Sequence, residues 1–109
     1  MAHMENKNLL DTLSDCAREC EHCVYNVCLG DSEMDESGRG CIDCAQICWT
    51  TASYASRGSK SLGEVTRICA HICNACADEC EKFLDDDMQR CAEQCRRCAE
   101  ECRSYANVH

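Results

Sequence analysis

Residues 69–80 read CAHICNACADEC and residues 91–102 read CAEQCRRCAEEC, so both stretches place cysteines at steps of four, three and four. An α-helix turns by about 100° per residue, and these steps therefore keep every thiol within one narrow stripe. The same rhythm appears in Cys16, Cys20 and Cys23, and again in Cys41, Cys44 and Cys48. Such stripes normally carry Leu, Ile or Val and form the seam of a helix bundle. The pattern predicts helices whose inward faces are built from sulfur.

The composition describes a small acidic chain with few conventional core residues. Among the 109 residues, Leu, Ile, Val and Phe together number 15, the same as the cysteines alone, and the formal charge is −9. Because buried free cysteine behaves as a small hydrophobe, thiols and alanines are expected to supply the core. The acidic balance argues against nucleic acid and anionic membranes as partners. No apolar run approaches the roughly 20 residues that cross a bilayer.

Hydrophobic and cysteine periodicity predicts four helices. They run from about Asn6 to Leu29, from the segment 36–40 to about Ser56, from Ser61 to about Leu84, and from 85–87 through Tyr105. Ser61 and Glu64 have the spacing of a capping box, and Asp85, Asp86 and Asp87 are expected to cap the fourth helix and supply negative charge to its N-terminus. On the first helix the stripe continues to Val27. Cys28 falls one residue beyond it and is expected at the edge of the seam or in a fraying end.

Short connections between long helices favour antiparallel neighbours, so the predicted fold is all-α, an up-down-up-down four-helix bundle with a cysteine-lined core. In this topology the first and third connections share one end of the bundle, and the termini lie at the other. The terminal end is expected to be closed by an apolar plug: Leu9, Leu13, Ala55, Leu62, Val65 and Tyr105. The opposite end carries Cys28, Cys41, Cys80 and Cys91, with Met34 in the connection 30–40 and Met88 as candidate entry ligands.

Several kinds of chemistry compete for the thiols. Disulfides are disfavoured because the cysteine count is odd and a bridge between successive turns of one helix would constrain nothing. A zinc site with four thiolates leaves two negative charges, and helix-interior N–H groups, already bonded to carbonyls, cannot offset them. Cu(I) is soft, accepts thiolates at low coordination number and replaces one thiol proton with one positive charge. Multiple Cu(I) ions are therefore the predicted cargo, with all the cysteines as candidate ligands: Cys16, Cys20, Cys23, Cys28, Cys41, Cys44, Cys48, Cys69, Cys73, Cys76, Cys80, Cys91, Cys95, Cys98 and Cys102.

The residues resemble the bacterial four-helix-bundle copper-storage proteins over nearly the whole chain, from about Asn8 to Tyr105. The resemblance rests on six CxxxC pairs: Cys16/Cys20, Cys44/Cys48, Cys69/Cys73, Cys76/Cys80, Cys91/Cys95 and Cys98/Cys102. It implies Cu(I) storage inside the bundle, a copper donor as partner, a homo-oligomer such as a tetramer, and a cytoplasmic location for members without a leader. The chain departs from the family in lacking inward histidines near the mouth.

Two function classes other than metal storage remain open on the residues alone. The first is a thiol redox enzyme or sensor, although no cysteine has a distinguishing His or Lys neighbour, and the chain is predicted not to be an enzyme. The second is a structural or partner-binding bundle. Zinc or another soft metal is the alternative cargo.

The remaining predictions concern the start of the chain and the surface. Residues 1–4 are interpreted as a cloning remnant and disordered start, with a single domain over residues 5–109, and the start shows no signal-peptide pattern. His22 and His71 fall off the stripes and are predicted to be solvated. Trp49 and Tyr54, also off the stripe, are candidates for a contact between copies.

Overall fold

The computed structural model describes residues 6–109, which form an antiparallel four-helix bundle, as the sequence predicts. Helix α1 spans Lys7–Cys23, α2 spans Asp35–Ser56, α3 spans Leu62–Cys80 and α4 spans Asp86–Val108. Each helix packs against its neighbours in the chain, and α1 also packs against α4, which closes the bundle. Among residues 6–109, none of the helices combines the length and apolar character that a bilayer crossing requires. The predicted disordered start, residues 1–4, lies outside the described part of the chain.

A π-helical segment, Val24–Cys28, extends α1 and corrects the prediction for Cys28. In an α-helix, a step of five residues from Cys23 would turn Cys28 well away from the stripe. Here the Leu29 N–H donates to the Val24 carbonyl at 2.9 Å, a bond of the i→i+5 type. This wider turn returns Cys28 to the inward face, where its side chain is only 4% exposed. Val27, predicted on the stripe, is half-buried instead.

The first connection is shorter than predicted, because α2 begins at Asp35 and includes Gly38 and Gly40. Gly30, with φ of +85°, terminates the π segment, and a single 3-10 turn, Ser32–Met34, leads into α2. The Asp31 carboxylate accepts a hydrogen bond from the Glu33 N–H at 3.0 Å and caps this turn. Met34, the last residue of this turn, lies in the connection as predicted and is buried there, with only 8% of it exposed.

Gly38 lies within α2 where the helix packs against the π segment. A Cβ atom at this position would lie 3.3 Å from the Cβ of Cys28. The absence of a side chain therefore lets α2 approach the π segment closely. A residue that usually weakens a helix here permits the contact that buries Cys28.

Helix α3 departs from prediction at both ends. Its stripe begins Leu62, Thr66, Cys69, with Val65 only half-buried. The Ser61 side chain caps nothing, so the capping box is wrong: its backbone conformation, φ −88° and ψ 1°, is not the extended one that a capping side chain needs. The helix ends at Cys80, and Leu84, predicted to lie within it, is 92% exposed.

Helix α4 starts as expected, with Asp85 at the N-cap position and Asp86 and Asp87 in the first turn. The Asp85 side chain makes no capping hydrogen bond. The contribution of this acidic run is therefore its negative charge at the positive end of the helix dipole.

The terminal end of the bundle is closed by the predicted plug with two polar additions. Leu9, Leu13, Ala55 and Leu62 are buried, Tyr105 is partly buried against them, and Thr51 and Thr66 are fully buried beside them. The Thr51 hydroxyl donates to the Ile47 carbonyl at 2.7 Å, and the Thr66 hydroxyl donates to the Leu62 carbonyl at 2.9 Å. Both hydroxyls are thus satisfied within their own helices.

Candidate metal centre

The four helices and the π segment bury every cysteine inside the bundle. All fifteen are free thiols and all are buried. The alanines that follow many of them, such as Ala17, Ala70 and Ala92, are buried too, and their small side chains let the helices approach closely. The stripes read from the sequence therefore face one another as predicted.

Sulfur–sulfur contacts run without interruption along most of this axis. At the loop end, Cys41 lies 3.6 Å from both Cys80 and Cys76 and 3.7 Å from Cys91. Further contacts of 3.4 to 3.9 Å continue the network towards the termini: Cys20, Cys95, Cys16, Cys44, Cys73, Cys48, Cys69 and Cys98. The closest pair is Cys44 and Cys73, at 3.4 Å. We call this set the sulfur column.

Within the column, four groups of four cysteines each have all their sulfurs within 4.8 Å of one another. From the loop end they are the first group (Cys20, Cys41, Cys76, Cys91), the second (Cys16, Cys20, Cys44, Cys95), the third (Cys16, Cys44, Cys48, Cys73) and the fourth (Cys48, Cys69, Cys73, Cys98). Consecutive groups share members: Cys20, then Cys16 and Cys44, then Cys48 and Cys73. One sulfur is therefore placed to belong to two neighbouring sites.

The electrostatics of the core oppose bare thiolates at most of the buried cysteines. Burial away from water is the main cause that raises the pKa of Cys28 to about 11. Hydrogen bonding with Cys91, followed by burial, raises the pKa of Cys23. Cys41 shows the opposite effect, since hydrogen bonds from Cys20, Cys76 and Cys80 lower its pKa. A metal ion entering this core must displace protons, and it supplies the positive charge that lets the sulfurs remain ionised.

A small cluster of soft donors lies above the column at the loop end. The Cys28 thiol donates to the Met88 sulfur at 3.9 Å, and Met88 is fully buried one turn before Cys91. Cys28 and Met34 both line a surface groove of about 210 Å³ between the π segment and α2. We call Cys28, Met34 and Met88 the mouth cluster. Cys28 and Met88 are in direct contact, and Met34 lines the same groove as Cys28.

Two further cysteines adjoin the column: Cys23 lies beside Cys91, and Cys102 lies beside Cys69 and Cys98. The Cys23 thiol donates to the Asp87 carbonyl at 3.3 Å, which fixes it against the first turn of α4. Cys102 is fully buried between the column and the plug. Both keep the inward positions that their spacing predicts.

His22 and His71 are exposed, as predicted. His22 Nε2 lies 3.6 Å from an Asp87 carboxylate oxygen on the surface, and His71 faces solvent. Among the cysteines, the residue that sequence reasoning placed wrongly is Cys28. The sequence feature that could have predicted its position is the five-residue step from Cys23 to Cys28, because hydrogen bonds in a π-helix also join residues five positions apart.

Comparison with known proteins agrees with this architecture. A family model described as copper storage protein matches residues 2–107. An uncharacterised cysteine-rich protein of Bacillus subtilis, YhjQ, is 38% identical over 74 residues, which are 64% of this chain and 67% of that protein.

Solved structures show the same fold. Apo copper storage protein 3 from Bacillus subtilis has a TM-score of 0.88 at 33% identity, covering 93% of this chain and 98% of its own. A structure described as Cu(I)-bound copper storage protein BsCsp3 gives 0.88 at 34% identity, covering 93% and 97%. A protein from Nitrosospira multiformis gives 0.85 at 36% identity, covering 93% and 94%. The family model spans nearly the whole sequence, and the chain belongs to the copper storage protein family.

Proposed function

We propose that the chain binds and stores many Cu(I) ions on the thiolates of its core. The ligands in this proposal are the twelve cysteines of the sulfur column, together with Cys23, Cys28 and Cys102. The observation that carries it is the sharing of cysteines between consecutive groups. A shared sulfur can bridge two ions, so one column can hold a series of ions instead of one isolated site.

Cu(I) suits this column better than other soft ions. It accepts thiolates at low coordination number, so two or three sulfurs complete its shell. Each Cu(I) that replaces one proton leaves the core neutral, and a neutral core avoids the cost of burying charge. The capacity can therefore approach one ion per cysteine.

Anaerobic titration of the reduced protein with Cu(I), followed by metal analysis, tests the proposal. We expect saturation at about ten ions or more per chain, an order of magnitude set by the number of bridging thiolates. Protein alkylated at its thiols under denaturing conditions is the control and should bind almost none. Saturation at one to three ions would contradict storage and favour a chaperone or an isolated site.

The mouth cluster is the proposed route of entry. Cu(I) released by a donor loses its partners before it reaches the column, and crossing apolar packing bare would be costly. The sulfurs of Met34, Cys28 and Met88 offer successive soft ligands between the surface groove and Cys91. The plug at the other end offers none.

The proposed setting is a reducing compartment such as the cytoplasm, because so many thiols stay reduced only there. We take residues 5–109 to be one domain. The storage role that the family implies needs no catalytic step, and we propose none. The partners we propose are a copper donor and further copies of the chain, up to a tetramer; sedimentation velocity that showed only monomer would overturn the assembly.

A further inference from the structure

The sulfur column also has the dimensions of a tetrahedral site for a divalent ion. A Zn²⁺ ion with Zn–S bonds of about 2.3 Å needs sulfurs about 3.8 Å apart. In the first group, the Cys41 sulfur lies 3.6 Å from that of Cys76 and 3.7 Å from that of Cys91, and Cys20 and Cys91 are 3.8 Å apart.

The fourth group has matching distances. Its Cys48 sulfur lies 3.8 Å from those of Cys73 and Cys98 and 3.9 Å from that of Cys69. Sulfurs of different helices are thus already near the edges of a tetrahedron in the metal-free chain.

We propose that, when copper is absent, the core binds two Zn²⁺ ions, each through four thiolates of its own. Sharing between groups sets this number. The first and second groups share Cys20, the second and third share Cys16 and Cys44, and the third and fourth share Cys48 and Cys73. Any three of the four groups therefore include two that share a cysteine, so at most two groups can be occupied independently. The first and fourth groups are one such independent pair.

Charge leads to the same limit. Each Zn²⁺ binds four thiols, releases four protons and leaves a centre with two negative charges. The helix N–H groups around it are already bonded to carbonyls and cannot stabilise that charge. Repulsion therefore favours the two groups farthest apart. Cys41 and Cys48, like Cys91 and Cys98, are separated by seven positions, or about 10 Å at 1.5 Å per residue.

The test is an anaerobic titration of the reduced, metal-free protein with Zn²⁺, with Co²⁺ as a spectroscopic probe of tetrahedral thiolate ligation. We expect two ions per chain to remain after desalting, with about four protons released per ion. A stoichiometry of one, or of three or more, would overturn the proposal. So would ions bound with few protons released, since these would lie on the surface carboxylates.

Two buried cysteines give a matched comparison, because they belong to different numbers of groups. Cys20→Ser removes the first and second groups and leaves two that share cysteines, so capacity should fall from two ions to one. Cys41→Ser removes only the first group, and the second and fourth remain independent, so capacity should stay at two. Equal stoichiometries in the two variants would contradict the proposal.

A second pair repeats the comparison at the other end of the column. Cys48→Ser should leave one ion and Cys98→Ser should leave two, by the same reasoning. The corresponding alanine variants avoid a buried hydroxyl, and far-UV circular dichroism verifies that each variant is folded. This inference does not rest on copper storage, since the copper titration is a separate measurement and either result can fail alone.

Discussion

The sulfur column and the plug at the terminal end are two regions of one core, built by the same four helices and equally shielded from water. Leu13 and Cys20, two turns apart on α1, are both fully buried. Their side chains differ in what remains available after burial. The plug presents methyl groups, and its only buried hydroxyls, within the described chain, donate to carbonyls of their own helices.

The thiols of the column, in contrast, contact mainly one another. A sulfur–sulfur contact is weak, and a metal ion replaces it with far stronger bonds. Helical register thus determines which residues are buried. Residue type determines whether a buried side chain stabilises the fold or remains available to bind metal. Stability and metal capacity are thus separated along the bundle axis.

Copper loading should produce the largest effect, and it should act through the column alone. One site saturated at 1,000 times its Kd stabilises the folded state by about 4.1 kcal/mol. For a domain of this size that corresponds to a rise in Tm of at least about 15 °C. Scanning calorimetry of the apo and loaded forms measures it, and Leu13→Ala should show nearly the same increment from a lower starting point. An unchanged Tm at saturation would mean that copper binds outside the core.

In the metal-free protein, truncating a side chain in the plug should destabilise the fold more than truncating one in the sulfur column. Leu13→Ala should lower the free energy of unfolding by about 2–5 kcal/mol, because it leaves a cavity in the plug. Cys95→Ala removes one sulfur atom and should cost only about 1 kcal/mol. Urea unfolding under reducing conditions measures both. Equal costs would show that the column contributes as much packing stability as the plug.

The smallest effect concerns the rate of entry at the two ends. Replacing the mouth cluster with Cys28→Val, Met34→Leu and Met88→Leu should slow copper uptake from a donor complex about tenfold, or about 1.4 kcal/mol in the barrier, while most of the capacity remains. Stopped-flow uptake measures the rate. Leu62→Phe, which enlarges the plug, is the matched control and should leave the rate unchanged. The reverse result would place entry at the terminal end.

The sequence alone was enough for the bundle, its antiparallel topology and the inward direction of nearly every cysteine. These follow from local geometry, because a step of three or four residues keeps side chains on one helix face whatever the helix packs against. The apolar plug and the solvated positions of His22 and His71 follow from the same rule. The predictions that failed rested on local residue preferences that the packed structure overrides. Gly38 and Gly40 indicated a loop but lie within α2, and Ser61 with Glu64 indicated a capping box that does not form.

Only the tertiary structure decided how the thiols meet across helices. The π turn that buries Cys28 packs closely against Gly38, a contact between two segments that no periodicity predicts. The groups of four cysteines depend on the axial offset of each helix against its neighbours, which side-chain packing sets. Sequence spacing fixes the angle of a residue around its own helix, but the distance between sulfurs on different helices is fixed only when the helices pack together.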